Sequence, residues 1–252
     1  MTNPMSQEEE KQREYYDSIA ATYDKHYGSD QAMAYRHAVY DRLLSKIDLR
    51  GKKVLDAMCG GGEGSVYLVK RGANVIGLDI SPEQCRFYKQ RLPEVEVVCR
   101  SVLETGFEDQ SFDFILTDSL HHLPPYLEKG LEEFHRILKP GGLVCCWEPN
   151  ADSLMNGLRR LWYKTDKKYF EDNEKAVSIA DLTTSKRAPF KLRDVLYGGH
   201  VGYLTVVTSM ILRIPAGLVK WYAPVAIGFE RIFSFRWPRP VSCWTLAVLQ
   251  RA

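Results

Sequence analysis

The stretch Val54-Leu55-Asp56-Ala57-Met58-Cys59-Gly60-Gly61-Gly62-Glu63-Gly64 sets four glycines directly behind an apolar run that carries one acid. Glycine reaches positive φ and has no Cβ, so backbone of this composition turns sharply and admits a ligand at close range. Ser65 to Arg71 reads as helix, and its N-terminus offers unpaired N–H groups to a carboxylate or phosphate. A strand, loop and helix of this kind suit a nucleotide-like cofactor. Asp79 closes the next apolar run, where its carboxylate accepts two hydrogen bonds from a ribose diol. The competing reading is a turn aspartate or a cap for the helix after Ser81-Pro82. His121, His122 and Glu148 fall at later strand ends and are the candidate catalytic bases, with a structural role for the histidines as the alternative. Cys59 sits inside the loop with no evident base, which makes it a poor nucleophile.

Glycines alone do not choose between a dinucleotide and S-adenosylmethionine. The spacing Gly60-x-Gly62-x-Gly64 is not G-x-G-x-x-G, and Asp56 would lie badly beside a pyrophosphate. A carboxylate at that point suits a ligand with an ammonium group and a sulfonium.

These groups need a frame that brings strand ends together. After Gly51 the pattern alternates: strand Lys53 to Ala57, helix Gly64 to Arg71, strand Asn74 to Asp79, helix Pro82 to Arg91 and strand Val95 to Cys99. It continues with strand Phe112 to Thr117, helix Tyr126 to Leu138, and strand Gly142 to Glu148 after the Lys139-Pro140-Gly141-Gly142 turn. Such a series predicts an α/β fold, a doubly wound and mostly parallel sheet with ligands at its carboxyl edge. Asp56, Asp79, Ser101, Thr117 and Glu148 then converge on one crevice. Before the sheet, residues 1–50 read as a helical cap, frayed to about Gln12, with a second helix from Gln31 to Ile47. Its Tyr15, Tyr16 and Tyr23 are either packing residues or pocket lining.

Val54 to Gly64, Val75 to Ser81, Ser111 to Leu116, His121-His122-Leu123 and Leu138 to Gly142, in that order, resemble the class I S-adenosylmethionine-dependent methyltransferases over about residues 15 to 150. The resemblance implies a seven-stranded sheet and S-adenosyl-L-methionine as cofactor. It also implies site roles. Asp56 lies near the methionine amino group, and the backbone of Met58, Cys59, Gly60 and Gly62 cradles the methionine part. Asp79 with Ile80 holds the ribose, Ser101 and Val102 flank the adenine, Thr117 lines the methionine side, and Tyr23 closes over the cofactor. Two positions depart from the family. Met58 stands where its first glycine usually is, and Ser101 where an acid often meets the adenine amine.

Composition bounds the rest. The 252 residues are 45% apolar with a formal net charge of +2, which suits one domain with a real core and offers no basic stripe for nucleic acid. Six cysteines show no paired spacing, so reduced thiols, a cytoplasmic protein and no metal site are expected. Glu8, Glu9 and Glu10 stand where an export signal would need an apolar core. Residues 51–150 form the cofactor-binding core, and 151–252 carry an acceptor-selecting insertion and the last strands. The period is lost from Ala151 to about Lys191, around Trp162, Tyr163, Tyr169 and Phe170. Tyr203 to Ser209 and Ser242 to Gln250 read as late strands. The apolar stretch from Ile211 to Phe235 is interrupted by Pro215, Pro224 and charges, which excludes a clean membrane span. It has two readings: a helical lid on the core, or a surface for peripheral membrane or lipid contact.

The activity that the resemblance implies is methyl transfer, and the near-neutral charge with the aromatic, apolar inserts points to oxygen of a small, amphipathic or lipid-linked acceptor. A non-catalytic cofactor-binding module and a nicotinamide oxidoreductase are the alternatives.

Overall fold

Apolar alternation along each strand builds two cores, one on either face of a sheet. In β1 (Lys53–Ala57), Val54 enters one core and Leu55 the other; in β4 (Phe112–Thr117), Phe114 and Leu116 join the first and Ile115 the second, while Phe112 also joins the second because the pairing register shifts between Phe112 and Phe114. Burial on both faces is why these strands read as nearly continuous apolar runs. The computed structural model describes residues 6–165, 175–233 and 235–252. Between β1 and β4 come α3 (Glu63–Lys70), β2 (Asn74–Asp79), α4 (Pro82–Arg91) and β3 (Glu96–Cys99); α5 (Leu127–Ile137), β5 (Leu138–Pro149) and α6 (Met155–Thr165) follow. The chain then forms α7 (Ile179–Thr183), β6 (Phe190–Gly198), α8 (Ala216–Ile232) and β7 (Trp244–Arg251).

The sheet has seven strands in the order β3-β2-β1-β4-β5-β7-β6, with β7 antiparallel to both of its neighbours and the other adjacent pairs parallel. Strand order therefore reverses between β1 and β4, which opens a crevice at their carboxyl ends. The expected doubly wound α/β fold is the one observed. Helix α5 covers one face through Leu131, Phe134 and Ile137. On the other face lie Tyr35, Val39, Tyr40, Leu43 and Leu44 of α2 (Asp30–Leu44), together with α8.

Three expectations are corrected. Residues up to Gln12 do not all fray, because α1 (Gln7–Tyr27) starts in a capping box in which Ser6 and Glu9 hydrogen-bond each other's backbone N–H; such a cap is worth about 1 kcal/mol. Tyr203 to Ser209 is not a strand but a helical segment, with Tyr203–Val207 as one π-helical turn. Buried Glu230 accepts the N–H groups of His200 (2.6 Å) and Gly202 (3.1 Å) at its start, so tertiary capping overrides the β-branched composition. Last, β6 occupies Phe190–Gly198, where no strand is apparent from the sequence. Of the aromatics in the insertion, Trp162 lies on α6, whereas Tyr169, Phe170 and the Tyr163 side chain fall outside the described residues. The described cysteines are all free; Cys59, Cys85, Cys145 and Cys146 are buried, and Cys99 is exposed.

Candidate active site

The loop after β1 is shaped by three residues at positive φ, Met58, Gly60 (φ +51°) and Gly62, as a ligand-holding turn requires. Met58 has φ +57°, the conformation that glycine favours at this place, at a strain of about 1–2 kcal/mol for a residue with a Cβ. Gly62 has φ +90°, and a Cβ on it would come 2.9 Å from the Tyr88 ring. At the start of α3, Gly64 lets the helix approach so closely that a Cβ would stand 2.9 Å from Leu116 and 3.1 Å from the Asp56 carboxylate. The loop is pinned to β2 by two hydrogen bonds: Gly60 N–H donates to Asp79 Oδ2 at 2.8 Å and Cys59 N–H to the Leu78 carbonyl at 3.0 Å.

Two connected pockets open at this edge. One is lined by Glu9, Gln12, Leu78, Asp79, Ile80, Gln84, Ser101, Val102 and Leu103; the other by Tyr15, Arg36, Asp56, Cys59, Glu63, Asp118, His121, Trp147, Glu148 and Tyr203. They share Tyr16, Tyr23, Met58, Gly60, Ser119 and His122 as common wall. Nearly every residue named from the sequence is thus brought to one groove. Gly62 and Thr117 stand behind it: Gly62 caps α3, and Thr117 is buried with its hydroxyl lacking a partner.

Burial governs the charges here. Asp79 is pushed up to about 6 by desolvation, against the Gly60 and Ser81 N–H groups that hold it down. Burial likewise raises Asp56, although the Ser65 hydroxyl donates to it at 2.7 Å. Glu148 is pushed up to about 8 by burial; it accepts Leu120 N–H at 2.7 Å, His121 N–H at 3.1 Å, and lies 2.8 Å from His121 Nδ1. The second histidine meets the cap: the Tyr16 hydroxyl is 2.9 Å from His122 Nε2. Cys59 is buried and its thiol pushed well up, which makes it unreactive.

Three further groups line the groove: Arg36, Asp118 and Glu9. Arg36 of α2 is buried and ion-paired with Asp118, which also takes the Tyr40 hydroxyl at 2.5 Å. Burial works against its charge, yet Tyr40 and Asp118 push the guanidinium pKa up, so it stays cationic. A signal was present: Arg36 shares the helix face of Val39, Tyr40 and Leu43, where a lone charge is out of place. Asp118 directly follows β4, at the carboxyl end of a strand where ligand-facing acids gather. Glu9 accepts the Ser101 hydroxyl, and its signal was the spacing Ser6-x-x-Glu9 of a capping box.

The donor set fits S-adenosylmethionine. Gln84 Oε1 and Asp118 Oδ1 are buried without partners at the groove, a guanidinium stands opposite Asp56 and Asp118, and the loop leaves no room for Cβ atoms at Gly62 and Gly64. No group of three or more His, Cys, Asp or Glu suited to a metal ion occurs among the described residues.

Comparison with known proteins gives the same answer. A family model described as "Methyltransferase domain" matches residues 54–142. Over 167 residues the chain is 30% identical to a demethylmenaquinone methyltransferase of Oceanobacillus iheyensis, covering 63% of this chain and 69% of that protein. The chain belongs to the class I S-adenosylmethionine-dependent methyltransferases. A probable phthiotriol/phenolphthiotriol dimycocerosates methyltransferase 2 of Mycobacterium ulcerans is 38% identical over 108 residues, covering 41% of this chain. The match spans less than half of that relative's length, 42%. A solved structure of magnesium protoporphyrin IX methyltransferase from Synechocystis, with bound SAH, shares the fold with a TM-score of 0.63 at 15% identity, covering 97% of this chain and 100% of that one.

Proposed function

We propose that the chain transfers a methyl group from S-adenosylmethionine to an oxygen of a small acceptor with an apolar body. The observation that carries this is the position of the His121–Glu148 pair, on the pocket that shares its wall with the Asp79 groove. When bound, S-adenosylmethionine supplies a methyl on a positively charged sulfur, open to in-line displacement by the acceptor atom.

Holding and orientation then carry much of the catalysis. Asp79 takes the ribose hydroxyls, Asp56 the ammonium group and Arg36 the carboxylate. Glu9 and Ser101 meet the adenine edge. Ionised Glu148 accepts the Nδ1–H of His121, which leaves Nε2 as the basic nitrogen to take a hydroxyl proton. Tyr16 holds His122, and α1 closes the groove against water through Gln12, whose amide donates to the His122 carbonyl at 3.1 Å.

The walls support the acceptor class. Beyond Trp147 and Tyr203 the pocket continues into a second, apolar one lined by Pro149, Met155, Trp162, Leu204 and Ile211. Such lining favours a greasy body behind the reacting oxygen, and relatives named for phthiotriol/phenolphthiotriol dimycocerosates and demethylmenaquinone agree with it. The test is a transfer assay with methyl-labelled cofactor over phenols and alcohols of increasing tail length. Label on oxygen, rising with tail length, is the expected result. Thermal stabilisation by S-adenosylhomocysteine without transfer to any of the acceptors would instead favour a non-catalytic binding module.

A further inference from the structure

Helix α8 is apolar on both sides. Its inner side buries Val219, Ala223, Ala226 and Ile227, and it packs on α2 and the turn at Tyr203–Val207. At 3.6 residues per turn, Leu218, Trp221, Val225, Phe229 and Ile232 fall within roughly 80° of arc on the opposite side. They are left 53%, 74%, 77%, 40% and 76% exposed. A surface helix ordinarily turns polar residues to water, and scattered apolar ones need no explanation, but five in register on one helix do. Phe233 extends the stripe and packs on Phe229 and Trp237 with ring centroids 5.4 and 4.5 Å apart.

Charge says what covers it. Lys220 and Arg231 border the stripe and Arg236 follows it, all three exposed. The single acid between residues 211 and 239 is Glu230, turned inward and taken up by the N–H groups of His200 and Gly202. The outer surface of this segment is therefore apolar with a positive border and no exposed carboxylate. A second copy across a two-fold axis would oppose that border to itself. Lipid headgroups carrying negative charge above an apolar layer complement both features, and Trp221 suits the boundary between them. No helix among the described residues is long and apolar enough to cross a membrane, so α8 would lie in the surface plane.

We propose that the outer face of α8 seats the protein on an anionic lipid surface, with Trp221, Val225 and Ile232 entering the headgroup layer and Lys220, Arg231 and Arg236 meeting lipid phosphates. Co-sedimentation of the full chain with phosphatidylcholine vesicles, with and without phosphatidylglycerol, tests this independently of any methyl acceptor. Binding is expected to need phosphatidylglycerol and to weaken with salt. Lys220→Gln with Arg231→Gln should weaken it by about fivefold per residue. The triple change Trp221→Ser, Val225→Ser and Ile232→Ser should abolish it, while stabilisation by S-adenosylhomocysteine persists as a check on folding. Trp221 gives a second readout, a blue-shifted emission on vesicles that is absent in Trp221→Phe. The proposal is overturned if the native chain stays in the supernatant or if the triple variant still sediments. A native dimer in light scattering that the triple variant makes monomeric would also overturn it, since a second copy then covers the face.

Discussion

The Ser101 hydroxyl donates to the Glu9 carboxylate, so the acid at this end of the Asp79 groove comes from α1 and not from the chain after β3. Ser101 takes a position where an acid often stands in the resembling family, and in the proposed function Glu9 of the N-terminal helix supplies that charge. Burial pushes Glu9 up, but hydrogen bonds from Ser101 and Ser6 outweigh it and keep the group below its ordinary value. Glu9→Gln should weaken S-adenosylhomocysteine binding about tenfold by calorimetry, the difference between a charge-assisted and a neutral hydrogen bond. Equal affinity in the two proteins would remove Glu9 from the site.

In the proposed role Asp79 accepts from both ribose hydroxyls only when ionised, and burial pushes it up to about 6. Cofactor affinity should be flat above that pH and fall below it, by up to about tenfold per unit as the carboxyl takes a proton. Asp79→Ala should cost on the order of 2 kcal/mol of binding at neutral pH and flatten the profile. A native profile that is already flat from pH 5 to 8 would contradict this role.

Glu148 gives a pH effect of its own. Its folded value, about 8, lies above the unfolded 4.5, so the folded state binds the extra proton between them. The resulting stability is fully present below about 4.5 and is lost as pH rises through about 8. Glu148→Gln should flatten that slope in urea titrations. Transfer should run the other way, rising through about pH 8 as Glu148 ionises and His121 gains its partner; in Glu148→Gln that rise should vanish. A Glu148→Gln enzyme with the native pH profile would exclude this base.

Met58 tests the loop backbone. A β-branched side chain tolerates positive φ worse than an unbranched one, whereas glycine has no penalty there. Met58→Val should therefore be less stable than Met58→Gly by about 1–2 kcal/mol in urea unfolding. Equal stability would mean that the loop relaxes its φ.

The first half of the sheet was legible because local signals and tertiary burial agree there. From β1 to β4 the apolar runs are bounded by Gly, Asp and Ser-Pro, and the observed strand and helix ends fall on or beside those residues. The misses have physical causes. In β6, Lys191, Arg193 and Asp194 break the apolar pattern, as suits an outermost strand that must not pair further. Tyr203–Val207 is helical because Glu230, far along the chain, caps it. Asp56, Asp79 and Glu148 could be found from strand ends alone. Glu9 and Arg36 carry only local signals, a capping-box spacing and a lone charge on an apolar helix face; that these faces meet the groove is decided by packing across the cap.

Arg36 and Asp118 show what that packing costs to disturb. The guanidinium and carboxylate form a buried pair beside the groove, with side chains 8% and 21% exposed. Removing one partner leaves the other charge without compensation in a desolvated site, so Arg36→Met should destabilise the fold by about 3–5 kcal/mol. Adding Asp118→Asn to that variant removes the stranded charge and should recover most of the loss, because the amide still accepts the Tyr40 hydroxyl. Binding separates the roles. If Arg36 serves the cofactor carboxylate, the double variant regains stability in urea unfolding but not its affinity for S-adenosylhomocysteine. Recovery of both together would assign Arg36 to the fold alone.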